Sequence, residues 1–282
     1  MYEIVEKEEI ADGITKMTLN VPPIAEKVRP GQFIILRVCN EGERIPLTVF
    51  SADRERGTIT IIFQKIGKTT LHLGKLQVGE SLASITGPLG NPTHIERYGT
   101  IVSVSGGVGT AIGYPVTKAL KEAGNYVISI LGARSAKLLI LEEELRAISD
   151  EFYVCTDDGT KGLKGFVSDQ LKIIIDEGRK IDMVMAVGPL PMMKVVADLT
   201  RPYRIKTIVS LDSIMIDGTG MCGCCRVRIG GKTKFTCMDG PEFDAHEVDW
   251  DILRYRKMIY IEEENTARDL FLMGHACNQS TK

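Results

Sequence analysis

The sequence predicts a β + α/β protein: an antiparallel β-barrel, then an α/β domain on a parallel sheet, then a small cysteine-rich module. Three observations predict it. Residues 1–96 break into short β-rich segments punctuated by Gly and Pro; from residue 97 buried strands alternate with helical stretches; and four of the seven cysteines fall between positions 222 and 237.

In the first region the strand-like segments include Ile14-Thr-Lys-Met-Thr-Leu-Asn-Val, Gln32-Phe-Ile-Ile-Leu-Arg-Val and Thr58-Ile-Thr-Ile-Ile-Phe. Turn signals separate them at Pro22-Pro23, Pro30-Gly31, Gly57, Gly67, Gly79 and Gly87-Pro88. Several short strands at close spacing read as a small barrel or sandwich. Two spans within it carry polar chemistry. Arg44-Ile-Pro46-Leu47-Thr48 offers a guanidinium, a rigid apolar pair and a hydroxyl, and Gly67-Lys68-Thr69-Thr70 reads as an anion-cradling turn. Taken as chemistry alone, both also read as ordinary strand ends and turns.

From residue 97 to 205 the order is strand (Thr100-Ile-Val-Ser-Val-Ser), glycine turn, helix to Ala123, strand (Tyr126-Val-Ile-Ser-Ile-Leu), helix (Leu138–Ile148), strand (Glu151-Phe-Tyr-Val-Cys), helix (Phe166–Glu177), strand (Met183-Val-Met-Ala-Val) and helix (Pro191–Leu199). Such alternation predicts a parallel sheet with helices on both faces. Gly106-Gly107-Val108-Gly109-Thr110 joins the first strand to its helix, where backbone N–H groups and the helix dipole favour a pyrophosphate. Gly188 in Val-Gly-Pro-Leu-Pro-Met-Met, and Asp157-Asp158-Gly159, stand at two further strand ends, where open α/β sheets bind ligands. Arg134 ends the second strand, at the place expected for an adenosine ribose.

The module from 206 to 245 carries Asp217-Gly-Thr-Gly-Met-Cys222-Gly-Cys-Cys225 and, after eleven intervening residues, Cys237. The gaps of four and two residues match the C-x4-C-x2-C…C ligand spacing of [2Fe–2S] proteins, with aspartate at the first position. A four-thiolate set of Cys222, Cys224, Cys225 and Cys237 is the alternative. Against it, the adjacent Cys224 and Cys225 point apart along the chain, whereas Asp217 sits at the required register. Three cysteines and an aspartate also suit zinc, which leaves a zinc-stabilised binding module as a reading of a different class. Cys39, Cys155 and Cys277 are isolated and read as structural thiols. Residues 246–282 form a charged tail with helical stretches.

A net charge of −2 gives no electrostatic case for nucleic acid or an anionic membrane. The charged start MYEIVEKEEI and the absence of a long apolar run predict a cytoplasmic chain that keeps its thiols reduced.

The combination of Arg-x-Pro-Leu-Thr, Gly-Gly-Val-Gly and Val-Gly-Pro…Met-Met resembles the ferredoxin–NADP reductase superfamily. With the cysteine module and Cys237-Met-Asp-Gly-Pro-Glu-Phe, it resembles the branch that holds the electron-transfer subunits of dihydroorotate dehydrogenase. Within that branch the Asp217–Cys225 segment is similar to the small subunits of NADH-dependent ferredoxin:NADP oxidoreductases, also described as the [2Fe–2S] subunits of sulfide dehydrogenase. The resemblance implies a ferredoxin-reductase-like FAD barrel over 1–96, a Rossmann-like NAD(P) domain over 97–205 and a [2Fe–2S] module over 206–245. It implies that Arg44, Pro46, Leu47, Thr48 and Gly67 through Thr70 hold FAD, and that Gly106 through Thr110, Asp157, Asp158 and Gly188 receive NAD(H), with NADP(H) left open. Asp217, Cys222, Cys225 and Cys237 then ligate the cluster. It further implies an electron-bifurcating heterodimer with a larger flavoprotein that carries FAD and [4Fe–4S] clusters, and through it a link to ferredoxin. The extra thiol of Cys224 and the ending Met-Gly-His-Ala-Cys277-Asn depart from the pattern.

Overall fold

The computed structural model describes residues 2–274; Cys277 lies outside the described residues. The first seven strands are β1 (Tyr2–Ala11), β2 (Ile14–Asn20), β3 (Phe33–Arg37), β4 (Arg44–Asp53), β5 (Thr58–Gln64), β6 (Ser81–Leu82) and β7 (Ser84–Leu89). They form one antiparallel sheet in the order β6-β1-β2-β5-β4-β3-β7. β6 and β7 stand at opposite ends of that order yet are separated in the chain by Ala83 alone, so the sheet must curl round into a barrel. Period-two alternation explains its filling: Met17 and Leu19, Ile34 and Leu36, and Ile59, Ile61 and Phe63 all point into one buried core. Two helices join this region, α1 (Pro22–Ala25) and α2 (Lys68–Lys75).

The second sheet holds β8 (Thr100–Gly106), β9 (Tyr126–Ala133), β10 (Glu151–Thr156), β11 (Leu163–Lys164), β12 (Met183–Val187) and β13 (Lys206–Ser210). Its order is β11-β10-β9-β8-β12-β13, all parallel. The order reverses at β8, whose neighbours are β9 and β12. Helix α3 (Gly109–Glu122) covers one face through Val116 and Leu120, beside α4 (Glu142–Ile148). Helices α5 (Val167–Asp176) and α6 (Leu190–Thr200) cover the other.

Two features depart from the sequence reading. The expected helix over 138–148 is broken: Ala136–Leu138 is a single 3-10 turn, Leu141 takes φ 56°, and α4 starts only at Glu142. Ile140 is buried there against barrel residues Ile14 and Ile62 and against Ala111, so contact across the two domains overrides the local helical pattern. The parallel sheet also does not end at residue 205. β13 belongs to it, and the cysteine module adds an antiparallel edge strand beside β13, pairing Val209 with Phe243.

That module contains the hairpin β14 (Arg226–Ile229) and β15 (Lys232–Phe235), the short helix α7 (Thr236–Asp239) and the edge strand β16 (Glu242–Asp244). The chain closes with α8 (Trp250–Lys257) and α9 (Ile261–Leu272). Among the described residues, no helix is long and apolar enough to cross a membrane.

Candidate functional site

The hairpin explains how distant cysteines meet. Gly230 and Gly231 take φ 54° and 76°, a left-handed turn that suits a tight two-residue connection. β14 and β15 then pair Arg226 with Phe235, so Cys225 and Cys237 flank the open end of the hairpin. Their Sγ atoms lie 3.2 Å apart, both buried. Thr236 fixes the approach by donating its N–H (3.1 Å) and hydroxyl (3.0 Å) to the Cys225 carbonyl. Burial, and then the Cys225 thiol, push Cys237 up to about 12.

Asp217 and Cys222 form a second pair. The Asp217 carboxylate accepts the N–H groups of Thr219 (2.9 Å) and Cys222 (3.0 Å) and the Thr219 hydroxyl (3.2 Å). These donors, the Thr219 N–H first, hold it below the usual carboxylate range. Gly218, Gly220 and Gly223 all have positive φ, which wraps the loop around this pair. Cys225 and Cys237 thus stand side by side, and Asp217 is bonded to the backbone of Cys222 on the neighbouring loop. Cys222 is exposed, and the Cys224 sulfur turns to within 4.0 Å of the Cys222 carbonyl and lies beside the Cys222 thiol. Among the described residues, no three such side chains converge as for a single metal ion.

The cysteine loop is packed against the barrel. A Cβ on Gly218 would lie 2.5 Å from Leu89 and 2.9 Å from Ile35, so only glycine allows this approach. Cys225 and Cys237 share a small apolar cluster with Phe33, Ile35 and Met215. In the antiparallel register Phe33 faces Thr48, Ile35 faces Pro46 and Arg37 faces Arg44. Opposed residues share a sheet face, which places Arg44, Pro46 and Thr48 on the face turned towards the cysteine loop, one strand away. Leu47 pairs with Ile34 and turns the other way, onto the barrel core.

Gly67 is the N-cap of α2, with Lys68, Thr69 and Thr70 in its first turn; the Thr70 hydroxyl accepts the Gly67 N–H at 3.1 Å. Sequence reasoning missed Glu43. It accepts the Thr69 hydroxyl at 2.5 Å and pairs with Lys68 at 3.4 Å, which brings the start of β4, and with it the exposed Arg44, beside the α2 N-terminus. A guanidinium and the donor end of a helix in one place suit a diphosphate, and the space beside Gly67 is open.

At the second sheet, a Cβ on Gly109 would stand 2.6 Å from the Val187 carbonyl and 2.7 Å from Gly188 Cα; one on Gly188 would stand 3.2 Å from the Gly106 nitrogen. The ends of β8 and β12 thus meet at the point where the strand order reverses, beneath the N-terminus of α3, and Thr110 is fully buried there. The space beside Gly107 is open. Asp157 and Asp158 lie farther along the same edge, across β9. They hydrogen-bond through their N–H groups to the carbonyls of Ala133 and Arg134. Asp158 spends its carboxylate on the Thr160 hydroxyl and N–H. A Phe50–Tyr114 stack at 5.3 Å holds the barrel against α3. Away from both crevices, a cavity of about 270 Å³ lies under the linker residues 91–98. Glu242 on its wall accepts the Thr93 hydroxyl at 2.5 Å, and burial pushes its carboxyl up to about 7.

Comparison with known proteins agrees with this fold. Residues 1–94 match the family described as an oxidoreductase FAD-binding domain, and residues 212–249 the iron–sulfur cluster binding domain of dihydroorotate dehydrogenase B. A Thermotoga maritima protein named as a homologue of the dihydroorotate dehydrogenase B (NAD(+)) electron transfer subunit is 46% identical over 272 residues, covering 96% of each chain. The chain belongs to this electron-transfer subunit family. A Bacillus velezensis member, named as the electron transfer subunit itself, is 36% identical over 256 residues, 87% of this chain and 96% of its own. A solved structure of an NADH-dependent reduced ferredoxin-NADP oxidoreductase superposes with a TM-score of 0.91 at 44% identity, covering 96% of this chain and 98% of that one. As a member of the family, the chain is an oxidoreductase subunit with a ferredoxin-reductase-like fold, an FAD-binding domain and an iron–sulfur domain.

Proposed function

We propose that this subunit passes electrons between NAD(H) and a larger flavoprotein partner in a ferredoxin:NADP oxidoreductase of the electron-bifurcating or sulfide dehydrogenase type. The observation that carries the reading is Asp217. It stands at the first ligand position of the cysteine loop, bonded to the Cys222 N–H, where a thiolate is the ordinary donor. FAD and a [2Fe–2S] cluster, when bound, supply the change between two-electron hydride chemistry and one-electron transfer.

The protein's own contribution is binding and placement. Arg44 and the α2 N-terminus, Gly67 through Thr70, hold the flavin diphosphate. Pro46 and Thr48 present the face of β4 on which the flavin ring lies, and Leu47 backs that strand from the core. Gly106 through Thr110 and Gly188 hold the nicotinamide dinucleotide, with Asp157 and Asp158 at its outer end. Asp217, Cys222, Cys225 and Cys237 would hold the [2Fe–2S] cluster. Carboxylate is a harder donor than thiolate, so it shifts the cluster's potential. The partner carries FAD and [4Fe–4S] clusters, and ferredoxin is reached through it.

The test is anaerobic purification of the native complex, with flavin and iron counts and identification of the bound subunit. A flavoprotein rich in cysteine clusters, with NADH-dependent exchange between NADPH and ferredoxin, is the expected result. A dihydroorotate-oxidising partner would move the chain to its other relatives, and a colourless zinc-loaded chain would overturn both readings.

A further inference from the structure

The helical tail is not needed for any binding role above, yet it touches two of the sites. Its base is firmly seated: Trp250 and Leu253 are buried beside Val227 and Ile229 of the hairpin, the Trp250 indole N–H donates to the Ala245 carbonyl at 3.2 Å, and Asp249 caps α8 through the Ile252 N–H. From there the tail grips both ends of the cysteine loop. Arg256 donates to the Cys224 carbonyl at 2.9 Å, and Lys257 pairs with Asp212 at 2.5 Å.

Helix α9 then runs back over the barrel. Twelve residues span about 18 Å, and only one side chain of the helix is buried, Phe271 at 3% exposure. It seats on α2: its ring lies 5.6 Å from the His72 ring, and the Lys75 ammonium stands 4.2 Å over it. A helix with one buried residue gains little from packing along its length. What fixes it is a single knob on the helix whose other end is the Gly67–Thr70 turn.

We propose that α8 and α9 form a strap that couples the flavin-binding helix to the cluster loop, with Phe271 and Arg256 as positioning residues at its two ends. Phe271 holds α2 in the pose that presents its N-terminal N–H groups, and Arg256 holds the loop backbone between Cys222 and Cys225. Loosening one end is felt at the other. The proposal rests on the reading of Gly67 through Thr70 as flavin ligands, and the experiment separates the two.

Full-length holoprotein carrying Phe271→Ala is compared with wild type in two rates: FAD release on dilution, followed by flavin fluorescence, and cluster loss to an iron chelator, followed by visible circular dichroism. Both rates are expected to rise about tenfold, and Phe271→Tyr is expected to restore both. Arg256→Ala is expected to speed both as well. Phe271→Leu replaces the alanine variant if that one does not fold. Rates within twofold of wild type overturn the strap. So does a faster FAD release with unchanged cluster loss, which would make Phe271 only a local prop for α2. In the same assay Lys68→Ala tests the reading beneath: if that variant keeps its FAD, the α2 assignment fails; if it loses FAD while Phe271→Ala does not, only the strap fails.

Discussion

Glu242 links the stability of this chain to pH near neutrality, and removing its charge makes the link measurable. Its carboxyl sits where the linker, the barrel and the cysteine module meet: the Thr93 hydroxyl donates to it, and a Cβ on Gly31 would stand 3.1 Å from it. Burial raises its pKa to about 7 from the ordinary 4.5. The native state therefore keeps a proton between pH 4.5 and 7 that the unfolded chain has lost. Stability is fully present below 4.5 and falls as pH rises through 7, at 1.36 kcal/mol per pH unit at most, for a total of about 3 kcal/mol. Glu242→Gln is neutral at every pH and keeps an oxygen for Thr93. At pH 5 the variant should match or slightly trail wild type; at pH 8.5 it should exceed it, by up to about 6–12 °C in midpoint for a chain of this size. The assay is thermal unfolding of the holoprotein and the variant at half-unit steps from pH 5 to 9. The two curves are subtracted, so that carboxylates common to both cancel. A difference that stays flat across that range would refute the reasoning.

Three further outcomes are expected. Gly109→Ala drives a methyl into the Val187 carbonyl and Gly188, an overpacking worth about 1–3 kcal/mol, and should weaken NAD(H) binding about tenfold or more by calorimetric titration while FAD content is unchanged. Arg44→Ala removes a charged donor worth about 1.5–3 kcal/mol, so FAD affinity should fall roughly tenfold to a hundredfold in reconstitution of the apoprotein. Asp217→Cys should keep the cluster but alter its spin-resonance spectrum and potential, whereas Asp217→Ala should lose iron on gel filtration; an unchanged spectrum in the cysteine variant would exclude Asp217 as a ligand.

Much of this fold is legible because it is periodic. The strands of the parallel sheet are continuous apolar runs, and their helices carry regular stripes, so β8 to α6 can be read in order. Where the reading slips, contact between distant parts decides. Leu138-Leu-Ile-Leu141 looks helical, but Ile140 is claimed by the barrel. β16 is three residues long and exists only because β13 offers it an edge. The proposed cluster ligands are legible because their spacing is the chemistry. The pairing of Cys225 with Cys237 was written in Gly230-Gly231, a turn signal that goes unnoticed beside the cysteines. Glu43 and Phe271 act through neighbours far away in sequence, 26 residues in the one case and 199 and 196 in the other, and no local pattern marks them.

The edge strand β16 carries one last consequence. It follows the helix of Cys237 and covers the open side of β13, so the segment that completes the proposed iron site also shields the parallel sheet from solvent. A bare strand edge is a template for pairing with another chain. A subunit whose cysteine module has come apart thus loses more than its redox centre: it uncovers a sticky margin.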